Sequence, residues 1–427
     1  MKRFVAVLSS ALAIVIMCIT MVGCTLFTNT PNSSGKIENL PNSSTVGSNI
    51  SFTEQKQETR QLLSAKDAAY QVARANGVLE VKNSSSSSRG SAVVVDVESD
   101  KLAEGEYYVI TCHHMISGGG NMTLSLPDDN MRNLGDTDYN KAYQFTGVVG
   151  SQVYADNSLI LVGGDKETDI AVLKIRTAGK AVDIDTAKMP VSDYQMAYGE
   201  DVFAIGNPSG YAPMTFMAGN ISYLNRKVKI NEVGTMNLVQ IDAMINHGSS
   251  GGGLYNYYGE LIGITNGGND EFRGINYAIP FDGETGYVEI AKQLMATATE
   301  SNYGYISGRW NLGVTITEGT YSFTGESFVK VISVEKNSNA HVAGVKAGDI
   351  IIGVKHLKGE ETISDEITTQ ASFANSVDQL KKDLKMGDSF ELIVGRNINE
   401  TVTLTFKIEK QYIFCDTGVY PETDQNN

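Results

Sequence analysis

The sequence predicts a mainly β protein with two folded domains, and three observations support this prediction. Short runs rich in β-branched and aromatic residues, separated by Gly and Asn turns, recur between residues 90 and 280, a pattern typical of an all-β barrel or sandwich. The 427 residues leave room for two or three domains at roughly 100–200 residues each. With 41% hydrophobic and 19% charged residues, the chain can bury cores, which excludes global disorder.

The N-terminus predicts export from the cytoplasm. A basic start, Met1–Arg3, precedes a run of apolar and small residues from Phe4 to Gly23, the pattern of a secretory signal. The ending Met21–Cys24 resembles the bacterial lipobox, which implies lipidation of Cys24. An uncleaved transmembrane anchor is the alternative, because about 20 apolar residues can span a bilayer. In either case we expect an extracytoplasmic protein held at a bacterial membrane.

Composition shifts along the chain predict where the domains begin and end. The stretch after Cys24 is rich in Ser, Thr and Asn and has no apolar periodicity, so it predicts a flexible tether. A second stretch of this kind separates two regions that contain strands. We therefore expect a signal peptide at 1–23, a tether at 24–60, a first domain at 61–295, a linker at 296–308, a second domain at 309–410 and a tail at 411–427.

Within these domains, hydrophobic periodicity places the elements. Ser64 can cap a short helix that runs to Ala75. Residues 281–295 predict a second helix, and residues 373–384 a third in the second domain. The first domain's predicted strands include Ala92–Val97, Tyr107–Thr111, Leu159–Val162, Ile170–Ile175, Asp201–Ile205, Leu238–Ile241, Leu261–Ile264 and Ile275–Ile279.

Charge and rare residues exclude several classes of function. The formal net charge is −15, so nucleic acid is not an expected partner. Four Cys in 427 residues exclude a disulfide-dense fold. Four scattered Cys and five His are a poor set for a zinc or haem site, and we expect neither metal nor cofactor.

The strongest chemical signal is the Gly-rich stretch Asn246–Leu254, which lies between two predicted strands and contains Ser250. A serine with uncrowded glycine neighbours suits a nucleophile, and mobile backbone N–H groups suit an oxyanion hole. By spacing, the donors are the N–H groups of Gly248 and Ser250. A simple Gly-Ser turn is the alternative.

A serine nucleophile needs a base, and the base needs an orienting group. The apolar run from Tyr107 ends in His113 and His114, and Asp169 opens the run Ile170–Ile175. The order His, Asp, Ser is that of the chymotrypsin class. Asp165 is a competing carboxylate that we interpret as a turn residue.

Six segments, in order, resemble those of HtrA/DegP-type serine proteases: Gly90–Val94, Ile110–Met115, Thr168–Ile175, Val202–Gly210, Gln240–Ser250 and Gly274–Pro280. The resemblance implies a chymotrypsin-like double six-stranded β-barrel protease domain with His114 as base, Asp169 as orienting acid and Ser250 as nucleophile. His113 then faces away by strand alternation. Residues 118–164 exceed the usual length, so we expect an enlarged loop or hairpin there.

The resemblance also implies an activity and partners. It predicts a serine endopeptidase that acts on unfolded or peptide substrates and forms a homotrimer. Met244 lies at the floor of the primary specificity pocket in this fold, which implies cleavage after small or medium apolar residues. Departures beside the nucleophile, Ser249 and Gly253, favour the alternative of a non-catalytic peptide-binding or chaperone scaffold. A Cys112–Cys415 disulfide is a further alternative to a buried free thiol.

The second domain resembles a PDZ domain. Leu312–Ile316 resembles its carboxylate-binding loop and strand, and Asn337–Ile351 its most characteristic stretch. The resemblance implies an α+β fold in which Leu312, Gly313 and Val314 hold the C-terminus of an extended peptide that adds a strand to the sheet. A structural cap that binds no peptide is the alternative.

Overall fold

The computed structural model describes thirteen stretches of the chain, and these divide into two compact units with the division near residue 310. The predicted signal peptide, Cys24 and the predicted C-terminal tail lie outside the described residues. The described stretches are 49–127, 142–149, 158–179, 182–210, 214–230, 234–268, 274–283, 286–299, 303–306, 312–334, 338–384, 387–397 and 400–408.

The first unit is built mainly of strands, with two α-helices. Its strands are β1 Ile50–Phe52, β2 Asn76–Lys82, β3 Ser87–Val95, β4 Val97–Ser99, β5 Glu106–Cys112, β6 Gly120–Leu126, β7 Tyr143–Val149, β8 Leu159–Asp165, β9 Ile170–Arg176, β10 Asp201–Gly206, β11 Thr215–Ile230, β12 Gly234–Ile241, β13 Gly253–Asn256, β14 Leu261–Gly268 and β15 Asn276–Pro280. Its α-helices are α1 Ala65–Val72 and α2 Tyr287–Thr297.

The first sheet has seven antiparallel strands in the order β7-β6-β2-β3-β5-β9-β8, where the sequence predicted six. The enlarged segment 118–164 supplies β6, β7 and most of β8, and β6 and β7 form the expected hairpin. Near the two outer strands of this sheet, β7 and β8, the Ser158 backbone N–H donates to the Thr146 carbonyl at 3.1 Å. Its hydroxyl accepts the Thr146 N–H at 2.9 Å, so β7 lies against the residue that precedes β8.

The second sheet is the predicted six-stranded barrel, closed in the order β10-β11-β12-β15-β14-β13. Inward side chains such as Val202, Ala204 and Leu254 are fully buried. The ladders contain register shifts, among them one in β14 between Thr265 and Gly267. Such bulges re-aim backbone and side chains near functional sites.

Helix α2 closes one side of the first unit. Its buried residues Tyr287, Ile290, Ala291 and Leu294 recur at helical spacing, as the sequence predicted. The ammonium of Lys101 donates to the main-chain carbonyls of residues 295, 296 and 298 at 3.1, 2.5 and 2.9 Å. These carbonyls have no partner further along the helix, so the lysine caps the C-terminus.

The last part of the predicted tether at 24–60, residues 50–60, is folded. Strand β1 pairs antiparallel with β4, and Phe52 is buried with 6% of its side chain exposed. Arg60 forms a two-pronged ion pair with Glu260, at 2.7 and 3.1 Å. Because apolar burial and a buried carboxylate fix residues 50–60, this part belongs to the folded body.

The second unit is α+β. Its strands are β16 Val314–Thr320, β17 Ser327–Val334, β18 Ile350–Lys358, β19 Glu361–Glu366, β20 Ser389–Arg396 and β21 Glu400–Lys407, and its helices are α3 Asn339–Ala343 and α4 Gln370–Asp383. The sheet order is β16-β17-β18-β20-β21, with β19 on β18. The Thr369 capping box starts α4.

His356 in the second unit is buried, at 5% exposed. Its Nε2 lies 3.1 Å from Asp383 Oδ2, and the Lys358 ammonium donates to the other oxygen at 2.9 Å. Among the described residues, no helix is long and apolar enough to cross a bilayer.

Candidate active site

Ser250 lies in a tight loop between β12 and β13, and two glycines shape that loop. Gly248 and Gly251 have φ angles of +94° and +86°, a region that side chains with a Cβ rarely occupy. A Cβ on Gly251 would lie 2.2 Å from the Ser91 carbonyl oxygen. The glycine-rich sequence around Ser250 is therefore required by close backbone approach to the first sheet.

The same loop presents backbone donors. Within the described residues, the N–H groups of Gly248 and Ser250 donate to no protein acceptor. The Ser91 hydroxyl donates to the Gly248 carbonyl at 2.9 Å and accepts the Asn207 N–H at the same distance. Two donors left open beside a serine are what an oxyanion hole requires.

His114 and Asp169 meet at the ends of neighbouring strands. His114 Nδ1 lies 2.7 Å from Asp169 Oδ2, and the His114 backbone N–H donates to Oδ1 at 2.8 Å. Strands β5 and β9 bring them together, since Cys112 pairs with Ile170. Asp169 has a φ of +55° and is 1% exposed, so its carboxylate is buried and aimed at the imidazole.

This arrangement raises the pKa of His114. Burial lowers the pKa of the imidazole, but the charge of Asp169 and the hydrogen bond to it outweigh burial and raise it above the ordinary value. The Nδ1 atom lies against the carboxylate, so the tautomer with its proton there leaves Nε2 as the acceptor. That is the form a general base needs.

The Ser250 hydroxyl donates to the main-chain carbonyl of Asn266 at 2.8 Å. The Asn266 side-chain amide donates to Asp169 Oδ2 at 2.6 Å. Sequence reasoning missed Asn266, because its position depends on the bulge in β14. Its only sequence signal is that it is a polar residue two positions after the end of the apolar run Leu261–Ile264.

The other candidates have structural roles. His113 is buried, at 2% exposed, and its backbone N–H donates to the Asp169 carbonyl at 2.9 Å from a 3-10 turn, His113–Met115, that follows β5. The Asp165 carboxylate accepts the N–H and hydroxyl of Thr168 and shapes the turn before β9. Cys112 is a buried free thiol, and Cys415 lies outside the described residues.

One group of side chains has the atoms for a metal ion. The sulfur of Cys112, a ring nitrogen of His114 and a carboxylate oxygen of Asp169 lie within 4.8 Å of one another. Burial and the nearby charge of Asp169 raise the pKa of the Cys112 thiol well above its ordinary value, which disfavours the thiolate that metals bind. The imidazole and the Asn266 amide already occupy Oδ2, so the geometry favours a hydrogen-bonded site.

Met244 does not form an enclosed pocket floor. Its side chain is 63% exposed, whereas its neighbours Ala243 and Ile245 are buried. Strand-like alternation turns the flanking residues inward and Met244 toward solvent. The assignment of Met244 to a specificity pocket stays a prediction.

In the second unit, Leu312 is buried, Gly313 has a φ of +76°, and Val314 begins the edge strand β16. The Leu312 carbonyl accepts the Ala340 N–H at 2.8 Å, which ties the loop to α3. Strand β16 pairs with a strand on one side only, and that strand is β17. Its other side faces the start of α4, where the Gln370 side chain donates to the Ile316 carbonyl at 3.4 Å.

Residues 90–264 match the family model of the trypsin-like peptidase domain. The chain is 31% identical over 331 residues to "Serine protease Do-like HtrA" of Bacillus subtilis, an alignment that covers 73% of this chain and 62% of the relative. Residues 90–264 are a trypsin-like peptidase domain. This domain contains the His114, Asp169 and Ser250 positions just described.

Other relatives match over a shorter length. The chain is 33% identical over 205 residues to "Serine endoprotease DegS" of Haemophilus influenzae, covering 47% of this chain and 54% of the relative. It is 36% identical over 205 residues to "Periplasmic pH-dependent serine endoprotease DegQ" of Escherichia coli, covering 45% and 40%. The chain thus spans less than two thirds of the length of these relatives.

Among solved structures, an "HtrA-type protease AlgW with tripeptide" aligns with 81% of this chain and 97% of its own. The sequence identity is 26% and the TM-score 0.44.

Proposed function

We propose that this protein is a serine endopeptidase with Ser250 as nucleophile, His114 as general base and Asp169 as the group that orients the base. The observation that carries the proposal is the 2.7 Å contact between His114 Nδ1 and the buried Asp169 carboxylate, within a domain that matches trypsin-like peptidases over 90–264. The two open N–H groups beside Ser250 support it.

The proposed reaction is acyl transfer in two halves. Ser250 Oγ attacks a peptide carbonyl carbon while His114 Nε2 takes the hydroxyl proton. The N–H groups of Gly248 and Ser250 stabilise the oxyanion, and His114 returns the proton to the leaving amine. Water then attacks the acyl-enzyme with His114 again as base, which releases the acid and restores the serine.

One observation favours the alternative of a non-catalytic scaffold. The Ser250 hydroxyl donates to the Asn266 carbonyl rather than to His114 in this structure. A hydroxyl rotates about its Cα–Cβ bond at low cost, so we interpret the contact as a resting state. Catalysis then requires the hydroxyl to turn to Nε2.

A fluorophosphonate probe separates the two functions. An active site should label at Ser250, and Ser250→Ala should abolish both labelling and casein degradation while the melting temperature stays unchanged. The matched control is Ser249→Ala, which changes the buried neighbouring serine and should keep labelling. Degradation that persists in Ser250→Ala, or a folded protein that never labels, would refute the assignment.

For the second unit and the location we propose a peptide-binding PDZ module and a lipid-anchored, extracytoplasmic protein. The edge strand β16 next to the Leu312–Val314 loop supports strand addition by a peptide. The name of the Escherichia coli relative places that protein in the periplasm. Calorimetric titration with a peptide that has a free C-terminal carboxylate, and with the same peptide amidated, tests the peptide-binding proposal. For the lipid anchor, we expect the Cys24→Ser variant to be soluble.

A further inference from the structure

The hairpin formed by β11 and β12 carries positive charge in a chain whose formal net charge is −15. The segment Thr215–Ile241 contains three basic residues, Arg226, Lys227 and Lys229, and a single acidic residue, Glu232. Its formal charge is therefore +2. A local reversal of sign on one exposed element attracts anions to that element.

Strand alternation turns two of these basic residues toward solvent. Lys227 and Lys229 are exposed, whereas Val228 between them is partly buried against the core of the first unit. Their partners across the hairpin are Asn237 and Thr235, which are neutral. Residues two apart on a strand share a face and lie roughly 7 Å apart, so the hairpin presents two neighbouring ammonium groups.

The protein does not neutralise these ammonium groups. In the described part of the chain, neither Lys227 nor Lys229 takes part in an ion pair or a side-chain hydrogen bond. Arg226 is different, because it donates to the Gln240 side-chain oxygen at 3.0 Å and its guanidinium carbon lies 4.0 Å from the centre of the Tyr223 ring. The lysines are thus available to an external anion, and Arg226 holds Tyr223 next to them.

Exposed apolar side chains adjoin the basic residues. Tyr223 and Leu224 are 45% and 40% exposed. Basic groups are attracted to the phosphates of anionic lipids, and tyrosine rings are enriched at the boundary between headgroups and acyl chains. An anionic bilayer therefore complements both the charge and the apolar part of this surface.

The length of chain ahead of the first unit keeps a bilayer within reach. Cys24, the proposed site of lipidation, precedes the start of β1 at Ile50 by 26 positions. Fully extended, 26 residues span at most about 90 Å. A body tethered this close to a membrane meets a second site on it at a raised effective concentration, so a contact through a few charges is sufficient.

We propose that Lys227 and Lys229, together with Arg226 and Tyr223, form a docking surface for an anionic lipid bilayer. The proposal goes beyond the peptidase function, and the choice of a bilayer as the occupant rests on the membrane location proposed above. The contact gives the first unit a preferred side toward the membrane, which a lipid on Cys24 does not provide.

The experiment measures binding of the full-length chain to vesicles of phosphatidylcholine, with and without phosphatidylglycerol, by co-sedimentation. An N-terminal lipid contributes alike to both vesicle types, so the ratio of the two partition coefficients isolates the charge effect. We expect Lys227→Gln/Lys229→Gln to lower this ratio roughly 30-fold, since each basic residue near an anionic surface changes binding about fivefold. The preference of the wild-type chain should disappear in about 1 M salt, where the screening length is about 3 Å.

Lys66→Gln/Lys82→Gln is the matched control. These two lysines are also exposed in the first unit, but they lie on separate elements, α1 and β2. The control removes the same charge and should keep the ratio. An unchanged ratio in Lys227→Gln/Lys229→Gln, or an equal fall in the control, would overturn the proposal.

Two further results separate this proposal from the others. Cys24→Ser should weaken binding to both vesicle types alike and keep the ratio, so failure of the lipid anchor is seen independently. Self-association that is lost in Lys227→Gln/Lys229→Gln, without any preference for anionic vesicles, would assign the surface to a second copy of the chain and refute lipid docking. Because binding needs no turnover, an inactive peptidase site leaves the test intact.

Discussion

Replacing Arg60 by Leu should destabilise the first unit strongly. The guanidinium binds both oxygens of Glu260, at 2.7 and 3.1 Å, and its carbon lies 3.8 Å from the centre of the Tyr258 ring. The Glu260 side chain is fully buried. Removing the arginine leaves a buried carboxylate whose remaining partner is the Asn256 amide.

The expected cost is large because the charge cannot reach water. Removing one partner of a buried pair costs about 3–5 kcal/mol. At roughly 2–4 °C per kcal/mol for a domain of this size, the melting temperature should fall by about 6–20 °C. Arg89→Leu is the control, since the Arg89–Glu80 pair is 42% and 31% exposed and should cost less than about 1 kcal/mol.

Differential scanning calorimetry at pH 7 and urea unfolding measure both variants. The double variant Arg60→Leu/Glu260→Gln should recover at least half of the loss, because a neutral amide can still accept from Asn256 without a buried charge. Equal effects of Arg60→Leu and Arg89→Leu, or no recovery in the double variant, would refute this reasoning.

Two predictions concern pH. Because Asp169 raises the pKa of His114, kcat/KM should decline on the acid side with a midpoint above about 6.5, the ordinary histidine value, and a midpoint below it would contradict the assigned pair. In the second unit, burial alone would raise the pKa of Asp383, but hydrogen bonds from Gln379, Lys358 and His356 lower it to about 2. Asp383 therefore adds stability above its ordinary pKa of 3.8, and this contribution disappears as pH falls toward 2. Acid titration followed by circular dichroism should show that Asp383→Asn removes this part of the pH dependence, and an unchanged profile would exclude the role.

The sequence predicted the parts of the fold that depend on local pattern. Short runs of β-branched and aromatic residues between Gly and Asn turns marked the barrel strands, and the spacing of Tyr287, Ile290 and Leu294 marked α2. The His114 and Asp169 positions were legible because each lies at the end of an apolar strand. These features need only neighbours in sequence, so a single chain carries them.

The missed features depend on contacts between distant residues. Arg60 and Glu260 are 200 positions apart, and nothing near either one signals the pair. Asn266 enters the site through a bulge, which periodicity cannot register because it is a break in the pattern.

The pairing of β1 with β4 determines where the first unit first resists a mechanical pull on its N-terminal side. A pull on the chain ahead of residue 49 first meets a ladder of three residue pairs, Ile50 to Phe52 against Val97 to Ser99. The next attachment along the chain is the ion pair between Arg60 and Glu260. Tension applied at residue 49 would thus fall first on this short peripheral ladder, before it reached the strands that flank His114 and Ser250.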